Sequence, residues 1–355
     1  MNHLLQKISY AFLTLFGVIS VVFFLFTILP GDPAQMILGQ NETQEQRDLI
    51  NQKYGFDLPL HKQYFLYLND LSPLSIHSRN SSNYTFVNDS KYQLTRIFCG
   101  EDNCLVLKFP YLRESFQRAD KTVNSVILDT LPNTIVLAFT SICLALFLGI
   151  ILGVLSALYK DQFLDQILQV LATLGMSLPS FFSAVLFAWL FAFVLGDFTG
   201  LNMTGSLYEL DDFGENYSLQ LKNLILPALV LGIRPLAVVI QLMRNSLLET
   251  FQQDYIRTAK AKGLSNFKII SQHALKNSLN PVITAISGWF ASLLAGAVFV
   301  EYIFGWNGLG KEIVDALNLL DMPVIMGAVI VIATMFILIN IFVDLIYAKL
   351  DPKVN

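Results

Sequence analysis

Residues 130–159 read TLPNTIVLAFTSICLALFLGIILGVLSALY and contain no charged side chain. An α-helix rises about 1.5 Å per residue and the hydrocarbon core of a bilayer is about 30 Å thick, so roughly 20 apolar residues are enough to cross it. This stretch exceeds that length. It therefore predicts a membrane-spanning helix.

Five further stretches are long and apolar enough to span a membrane. Four of them carry no charge, namely 9–29, 166–196, 277–300 and 322–343. The fifth, 223–243, contains one charged residue, Arg234. The whole sequence predicts an all-α integral membrane protein with six transmembrane helices.

The composition agrees with this fold class. Of the 355 residues, 54% are hydrophobic and only 14% are charged, whereas about a quarter of the residues of a soluble domain are charged. The mean hydropathy is +0.55. These values exclude a soluble enzyme, a nucleic-acid binder and a disordered scaffold.

Basic residues predict the orientation of the helices. If both termini are cytoplasmic, Lys7, Lys160, the 244–276 loop and the C-terminal tail place ten Lys and Arg residues inside. The short outer loops, 197–222 and 301–321, then hold two. Because short cytoplasmic loops carry an excess of Lys and Arg, we expect cytoplasmic termini and a large extracytoplasmic loop between helices 1 and 2.

This topology divides the chain into three regions. They are the N-terminus with the first helix (1–29), the extracytoplasmic loop (30–129) and a five-helix core (130–355) with a cytoplasmic loop at 244–281.

The outer loop differs in composition from the membrane-spanning stretches. Residues 72–104 are rich in Ser and Asn and show little helical periodicity, which predicts a small extracytoplasmic elaboration. Cys99 and Cys104 lie within it. In an oxidising periplasm this pair is able to close a short disulfide loop, and two free thiols are the alternative.

The cytoplasmic loop is amphipathic and moderately basic between residues 254 and 281, DYIRTAKAKGLSNFKIISQHALKNSLNP. Ala259 and Ala261 offer small surfaces, and Gly263 permits a turn. The apolar anchor for the next segment comprises Phe267, Ile269 and Ile270. These residues fit a helix that docks in a groove of another protein and equally a connector that lies on lipid headgroups.

Small and polar residues within the later spans are candidates for either helix packing or the wall of a pathway. They are Arg234, Gly288, Ser292, Gly296, Asn340 and Asp344. The four histidines are scattered, and no catalytic motif or metal-ligand set occurs. The sequence therefore predicts a chain without catalytic residues, a metal site or a bound cofactor.

DYIRTAKAKG (254–263) and HALKNSLNPVIT (273–284) resemble the cytoplasmic loop of bacterial ABC-transporter permeases of the dipeptide, oligopeptide and nickel family. Further similar segments follow in the same order along the chain. They are LPGDPAQMILG (29–39), YGFDLPLHKQYFLYL (54–68), SLPSFFSAVLF (177–187), EYIFGWNGLGKEIVDAL (301–317), DMPVIMGAVI (321–330) and NIFVDLIYAKLDPK (340–353). Residues 70–108 fall outside the resemblance and form an apparent insertion. Arg257 also departs from the acidic first position of the superfamily's E-A-A-x-x-x-G pattern.

The resemblance implies a permease subunit of an ATP-driven importer in the bacterial inner membrane, with di- or oligopeptides as cargo. Its implied partners are a homologous second permease, two ATPase subunits, an extracytoplasmic substrate-binding protein and the lipid bilayer, but no nucleic acid. The residues implied to couple the chain to the ATPases are Asp254, Tyr255, Arg257, Thr258, Ala259, Ala261 and Gly263. The alternatives are an importer of nickel or another small solute and, less favoured, a secondary transporter that works alone.

Overall fold

A computed structural model describes residues 2–28, 32–38, 43–81, 83–88, 91–211, 214 and 216–350. Side chains at 2–5, 8, 287 and 344–350 are outside this description. The described chain is mostly helical and forms two compact units. One comprises the residues up to Asp129 together with Asp315–Ala333, and the other comprises Thr130–Val314 and the residues from Thr334 onward.

Four helices are individually long and apolar enough to cross a membrane. They are α1 (Asn2–Ile28), α5 (Val123–Leu158), α9 (Lys222–Thr250) and α16 (Met322–Leu350). Counting two bent helix pairs as one span each raises the number to six. The described chain therefore has four to six candidate spans.

The third predicted span is broken. Helix α6 (Phe163–Ser177) is followed by α7 (Ser180–Phe187) and a π-helical turn (Ala188–Val194), with a bend of 113° at the break. Pro179 disfavours a helical conformation for the residue before it, and Leu178 is extended, with φ −74° and ψ 133°. The span predicted over 166–196 is therefore a bent pair of helical segments.

The fifth predicted span is also interrupted. Between α9 and α16 the helices are α10 (Asp254–Ala261), α11 (Asn266–Lys268), a π-helical turn (Ile269–Ala274), α12 (Leu275–Ser278), α13 (Asn280–Gly296), α14 (Val298–Phe304) and α15 (Leu309–Leu319). The segments on either side of Leu279 are bent by 47°. Pro281 lies in the first turn of α13, where a missing N–H costs no helical hydrogen bond.

The first unit surrounds a small three-stranded sheet. Short helices α2 (Pro33–Leu38), α3 (Gln44–Tyr54) and α4 (Leu60–Leu71) precede β1 (Leu74–Ser78), β2 (Leu94–Cys99) and β3 (Asn103–Lys108). The strands are antiparallel in the order β1-β3-β2. The expectation of an all-α chain was therefore wrong in the region of the insertion, where residues such as Thr95, Ile97 and Val106 favour strands.

The sheet is attached to α4 through the Asp70 carboxylate, which is 9% exposed. It accepts hydrogen bonds from the Tyr92 hydroxyl at 2.9 Å and from Arg113 Nε at 3.3 Å. Phe23 of α1 packs on Tyr64 and Tyr67 of α4, with ring centroids 5.2 and 5.3 Å apart. These contacts join the first helix to the region that contains the sheet.

The second unit is built on close contact between α5 and α9. A Cβ atom on Gly149 would lie 2.6 Å from Val239 Cγ1, and one on Gly153 would lie 2.6 Å from Met243 Cβ. Glycine at these two positions lets the helix backbones approach, which strengthens packing in lipid. The same unit contains α8 (Gly196–Thr199) and the hairpin strands β4 (Tyr208–Leu210) and β5 (Tyr217–Leu219).

Candidate functional site

Helix α10 lies near the start of the predicted cytoplasmic loop and packs through one face against the rest of the second unit. Ile256 is fully buried and Ala259 is 5% exposed, and both belong to the core cluster that contains Leu247 and Ile269. The helix ends before Gly263, whose φ of +75° lies in the left-handed region that favours glycine. A rigid attachment of α10 to the core follows from this packing.

The opposite face of α10 is exposed. Asp254, Arg257, Thr258 and Ala261 all lie on it, and Gly263, in the turn that follows the helix, is exposed as well. Arg257 Nη1 is 3.4 Å from Asp254 Oδ1, an ion pair within one turn of the helix. This face presents small and charged groups that the described core does not cover.

Tyr255 connects the exposed face to the following segment. Its ring is 41% exposed, and its hydroxyl accepts a hydrogen bond from Asn277 Nδ2 at 2.8 Å. Because Asn277 lies on α12, this bond joins the two ends of the loop directly.

Two residues of the loop have roles that differ from the sequence-based expectation. Ala259 does not offer a small docking surface, because its methyl group packs into the core. Phe267 is 81% exposed and anchors nothing within the described chain, whereas Ile269 is buried. The exposed Phe267 ring extends the uncovered surface of the loop beyond α10.

A second group of residues surrounds a cavity of about 80 Å³ between the α6–α7 break, α9 and α13. Arg234, Ser292 and Gly296 line it, as do Ser180, Ser183 and Trp289. A Cβ atom on Gly288 or Gly296 would meet no atom within 4 Å. These two glycines therefore do not pack against another described helix of this chain.

The remaining predicted pathway residues are not brought to this cavity. Asn340 is half-buried on α16 and is not among the cavity-lining residues. The Asp344 side chain lies outside the described residues.

Comparisons with known proteins identify the family. Residues 149–355 match the model of the binding-protein-dependent transport system inner membrane component, and residues 1–85 match the N-terminal model for such membrane components. The chain belongs to this family. It is a multi-pass inner-membrane permease subunit of an ABC importer, and it is a transport component rather than an enzyme.

Several relatives of the permease are named dipeptide transport system permease protein DppB. The one from Alkalihalophilus pseudofirmus is 30% identical over 355 residues, covering 96% of this chain and 95% of the relative. The one from Bacillus subtilis is 32% identical and covers 96% and 94%. The one from Escherichia coli is 49% identical over 133 residues, or 38% of this chain and 39% of the relative.

A solved structure of the MetNI methionine ABC transporter, in an inward-facing conformation, shares the fold of the permease. The similarity has a TM-score of 0.51 at 15% identity and covers 64% of this chain and 97% of that chain. At this level of identity the likeness concerns the fold alone.

Glu301 of the permease is fully buried. Its Oε2 accepts hydrogen bonds from the backbone N–H groups of Gly310 at 2.7 Å and Lys311 at 3.1 Å. Burial raises the pKa of the Glu301 carboxyl to about 7. The carboxyl caps the first turn of α15 and fixes the turn between α14 and α15.

The sequence contained a signal for this contact in its glycines. A Cβ atom on Gly308 would lie 2.4 Å from Glu301 Oε2, and one on Gly310 would lie 2.9 Å from it and 2.6 Å from Val298 Cα. The G-W-N-G-L-G spacing of residues 305–310 is thus required for the carboxyl to reach the helix.

The two cysteines of the insertion are joined. Cys99 and Cys104 form a disulfide between neighbouring strands β2 and β3, where they are register partners. Cys143, in α5, is a free and exposed thiol.

Proposed function

We propose that the permease forms, with a homologous second permease, the membrane path for di- and oligopeptides. The support for peptide cargo is the similarity to relatives named as dipeptide and di/tripeptide permeases over nearly the whole chain. An extracytoplasmic binding protein delivers the peptide, and two ATPase subunits supply the energy. The permease itself holds no nucleotide and no metal.

We propose six spans with both termini in the cytoplasm. Each bent helix pair is counted as one span. The charge distribution supports this orientation, since it places ten cations in the short inner segments. The Cys99–Cys104 disulfide supports an outer location for residues 30–129, because disulfides persist in oxidising compartments.

The observation that supports the coupling role is that α10 packs against the core through one face only. Its inner face, with Ile256 and Ala259, is fixed in the core, and its outer face is uncovered. A helix held in this way transmits a push on its outer face to the membrane helices as a rigid element. The ATPases bind this face together with the turn at Gly263, and their closure on ATP shifts the path from outward- to inward-facing.

Copurification tests this role with substitutions that avoid the buried face of α10. A tagged permease is isolated from its native host in mild detergent, alongside an Arg257→Glu/Ala261→Glu variant. Both changed residues are exposed, so the fold is expected to persist. The matched control is Lys160→Glu, an exposed basic residue in the turn between α5 and α6.

The wild type and the Lys160→Glu control are expected to retain ATPase subunits and ATP hydrolysis, and the α10 variant is expected to lose both. Equal retention by all three proteins would contradict the coupling role. A wild-type permease that purifies alone through a series of progressively milder detergents would count against the whole assembly.

Uptake by reconstituted transporter tests the cargo. Proteoliposomes with the cognate binding protein and ATP are expected to take up labelled dialanine. Uptake of Ni²⁺ without uptake of dialanine would overturn the peptide assignment.

A further inference from the structure

The cavity beside the α6–α7 break contains one charged side chain. Arg234 lines it, and no acidic residue is among its lining residues. None of the described residues forms an ion pair or hydrogen bond with the Arg234 guanidinium. Because an unpaired cation within a membrane span is costly, this group requires an anion or water from outside the described chain.

Hydroxyl groups converge on the same cavity. Ser183 is 2% exposed and lines the cavity, and its Oγ has no hydrogen-bond partner among the described residues. Ser180 and Ser292 also line the cavity and likewise have no partner for their hydroxyls within the described part of the chain. Because a buried hydroxyl without a partner costs free energy, the buried Ser183 hydroxyl requires an acceptor, and the Ser180 and Ser292 hydroxyls are free to contribute further hydrogen bonds.

The start of α7 adds backbone donors. The first hydrogen bond of this helix runs from Ser183 N to Pro179 O at 3.1 Å. The N–H groups of Ser180, Phe181 and Phe182 therefore precede the helical bonding pattern. Ser180, the first residue of α7, lines the cavity. Helix N-termini carry partial positive charge, and broken helices of transporters direct such ends at anionic groups of their substrates.

Size limits what the cavity holds. Its volume is about 80 Å³, whereas one water molecule occupies about 30 Å³ of liquid. A carboxylate group fits, but an entire peptide does not. Arg guanidinium groups and hydroxyls are well suited to carboxylates. Next to the cavity, the α13 face with Gly288 and Gly296 leaves open space for the rest of a ligand.

We propose that this cavity receives the C-terminal carboxylate of the cargo peptide, with Arg234 as its counter-ion and Ser183 as a hydrogen-bond donor. The proposal rests on the proposed peptide function and adds a recognition site within the permease itself. A peptide whose C-terminus is an amide lacks the charge that pairs with Arg234. The proposal therefore predicts that the transporter prefers peptides with a free C-terminal carboxylate over peptide amides, and that this preference depends on Arg234.

The test compares two cargoes in the same reconstituted transporter. Dialanine and dialanine amide are supplied to proteoliposomes that contain wild-type, Arg234→Gln, Arg234→Lys, Ser183→Ala or Lys222→Gln permease. The unaltered binding protein is common to all samples, so its own preference cancels when the acid-to-amide uptake ratios are compared. Lys222→Gln is the matched control, since it removes one positive charge from α9 about 18 Å along the helix from Arg234.

The acid-to-amide ratio is expected to fall about tenfold or more in Arg234→Gln, less in Arg234→Lys and severalfold in Ser183→Ala. The Lys222→Gln ratio is expected to equal that of the wild type. A variant is taken to assemble if the other subunits copurify with it in the wild-type proportion. If Arg234→Gln does not assemble, Arg234→Lys replaces it in the comparison.

Three results would overturn the site. An unchanged ratio in Arg234→Gln, with both peptides taken up at the wild-type rate, would show that the carboxylate binds elsewhere. An equal fall in the uptake of acid and amide by Arg234→Gln, or loss of the second permease from the purified variant, would indicate that Arg234 pairs with a carboxylate of the second permease instead. Failure of the wild type to take up either peptide would instead refute the peptide function, and the site with it.

Discussion

The Arg244 guanidinium binds the Asp165 carboxylate through two hydrogen bonds, Nε to Oδ1 at 2.7 Å and Nη2 to Oδ2 at 2.6 Å. Ser156 Oγ donates a third bond to Oδ1 at 2.5 Å. The carboxylate therefore connects α5, α6 and α9. Asp165 is only 2% exposed, so its charge depends on these donors for compensation.

Replacing Arg244 with Met is expected to destabilise the permease by about 3 kcal/mol or more, because the substitution leaves a buried carboxylate without its cation. Thermal unfolding of the detergent-purified protein measures the effect. Lys160→Met, at an exposed position, serves as control and is expected to have little effect on the melting temperature. Equal melting temperatures for the two variants would contradict the importance of the pair.

Two glycines in spans are expected to respond differently to the same substitution. Gly153→Ala would place a methyl group 2.6 Å from Met243 Cβ and 2.9 Å from Ile240 O, a clash expected to cost about 1–3 kcal/mol. Gly288→Ala meets no atom within 4 Å and is expected to leave the stability of the isolated permease unchanged. Melting temperatures of both variants in detergent provide the comparison. A lower melting temperature for Gly288→Ala than for Gly153→Ala would refute the expected difference.

Glu301 is expected to make stability depend on pH. Burial raises the pKa of its carboxyl from 4.5 to about 7, so between these values the folded protein binds a proton that the unfolded chain releases. Stability therefore falls as the pH rises from about 4.5 to 7, by on the order of 3 kcal/mol.

Melting curves across this pH range test the assignment. The Glu301→Gln variant is expected to lose most of the slope, because its side chain does not titrate. Glu249→Gln, at an exposed position on α9, is the control and is expected to keep the slope. A Glu301→Gln variant with the wild-type slope would assign the pH dependence to other groups.

The cysteines are expected to differ in reactivity. Maleimide labelling in denaturant is expected to give one adduct per chain without reductant and three after reduction, because only Cys143 is free. Cys143→Ser is expected to change these numbers to none and two. Three adducts on the unreduced wild-type chain would show that the disulfide is absent.

Loss of the Cys99–Cys104 bond through Cys104→Ser is expected to destabilise the sheet region by about 2 kcal/mol, since the closed loop is short. Limited proteolysis of the insertion measures this effect. The Cys143→Ser variant is the control and is expected to be cleaved at the wild-type rate. Equal cleavage of the two variants would show that the bond adds no local stability.

The membrane class and the approximate positions of the spans could be predicted from the sequence, because crossing a bilayer depends on a local sum of apolar residues. The angle of the α6–α7 bend could not be predicted although Pro179 lies beside it, since apolar length alone does not distinguish a straight helix from a bent pair. The sheet could not be predicted from local periodicity, because β1 and β3 pair through register partners such as Ser75 and Val106 that lie far apart in the sequence.

The sequence by itself determined the family, through the order of its motifs, and the start of the exposed loop helix at Asp254. Only the tertiary structure decided that Ala259 faces the core while Arg257 does not, that Glu301 caps a helix, and that Arg234 and Ser183 line one cavity. The physical reason is that burial and partnership depend on groups distant along the chain. Asn133 and Asn307, for example, are joined by a 2.7 Å hydrogen bond, and no local pattern in the sequence contains that contact.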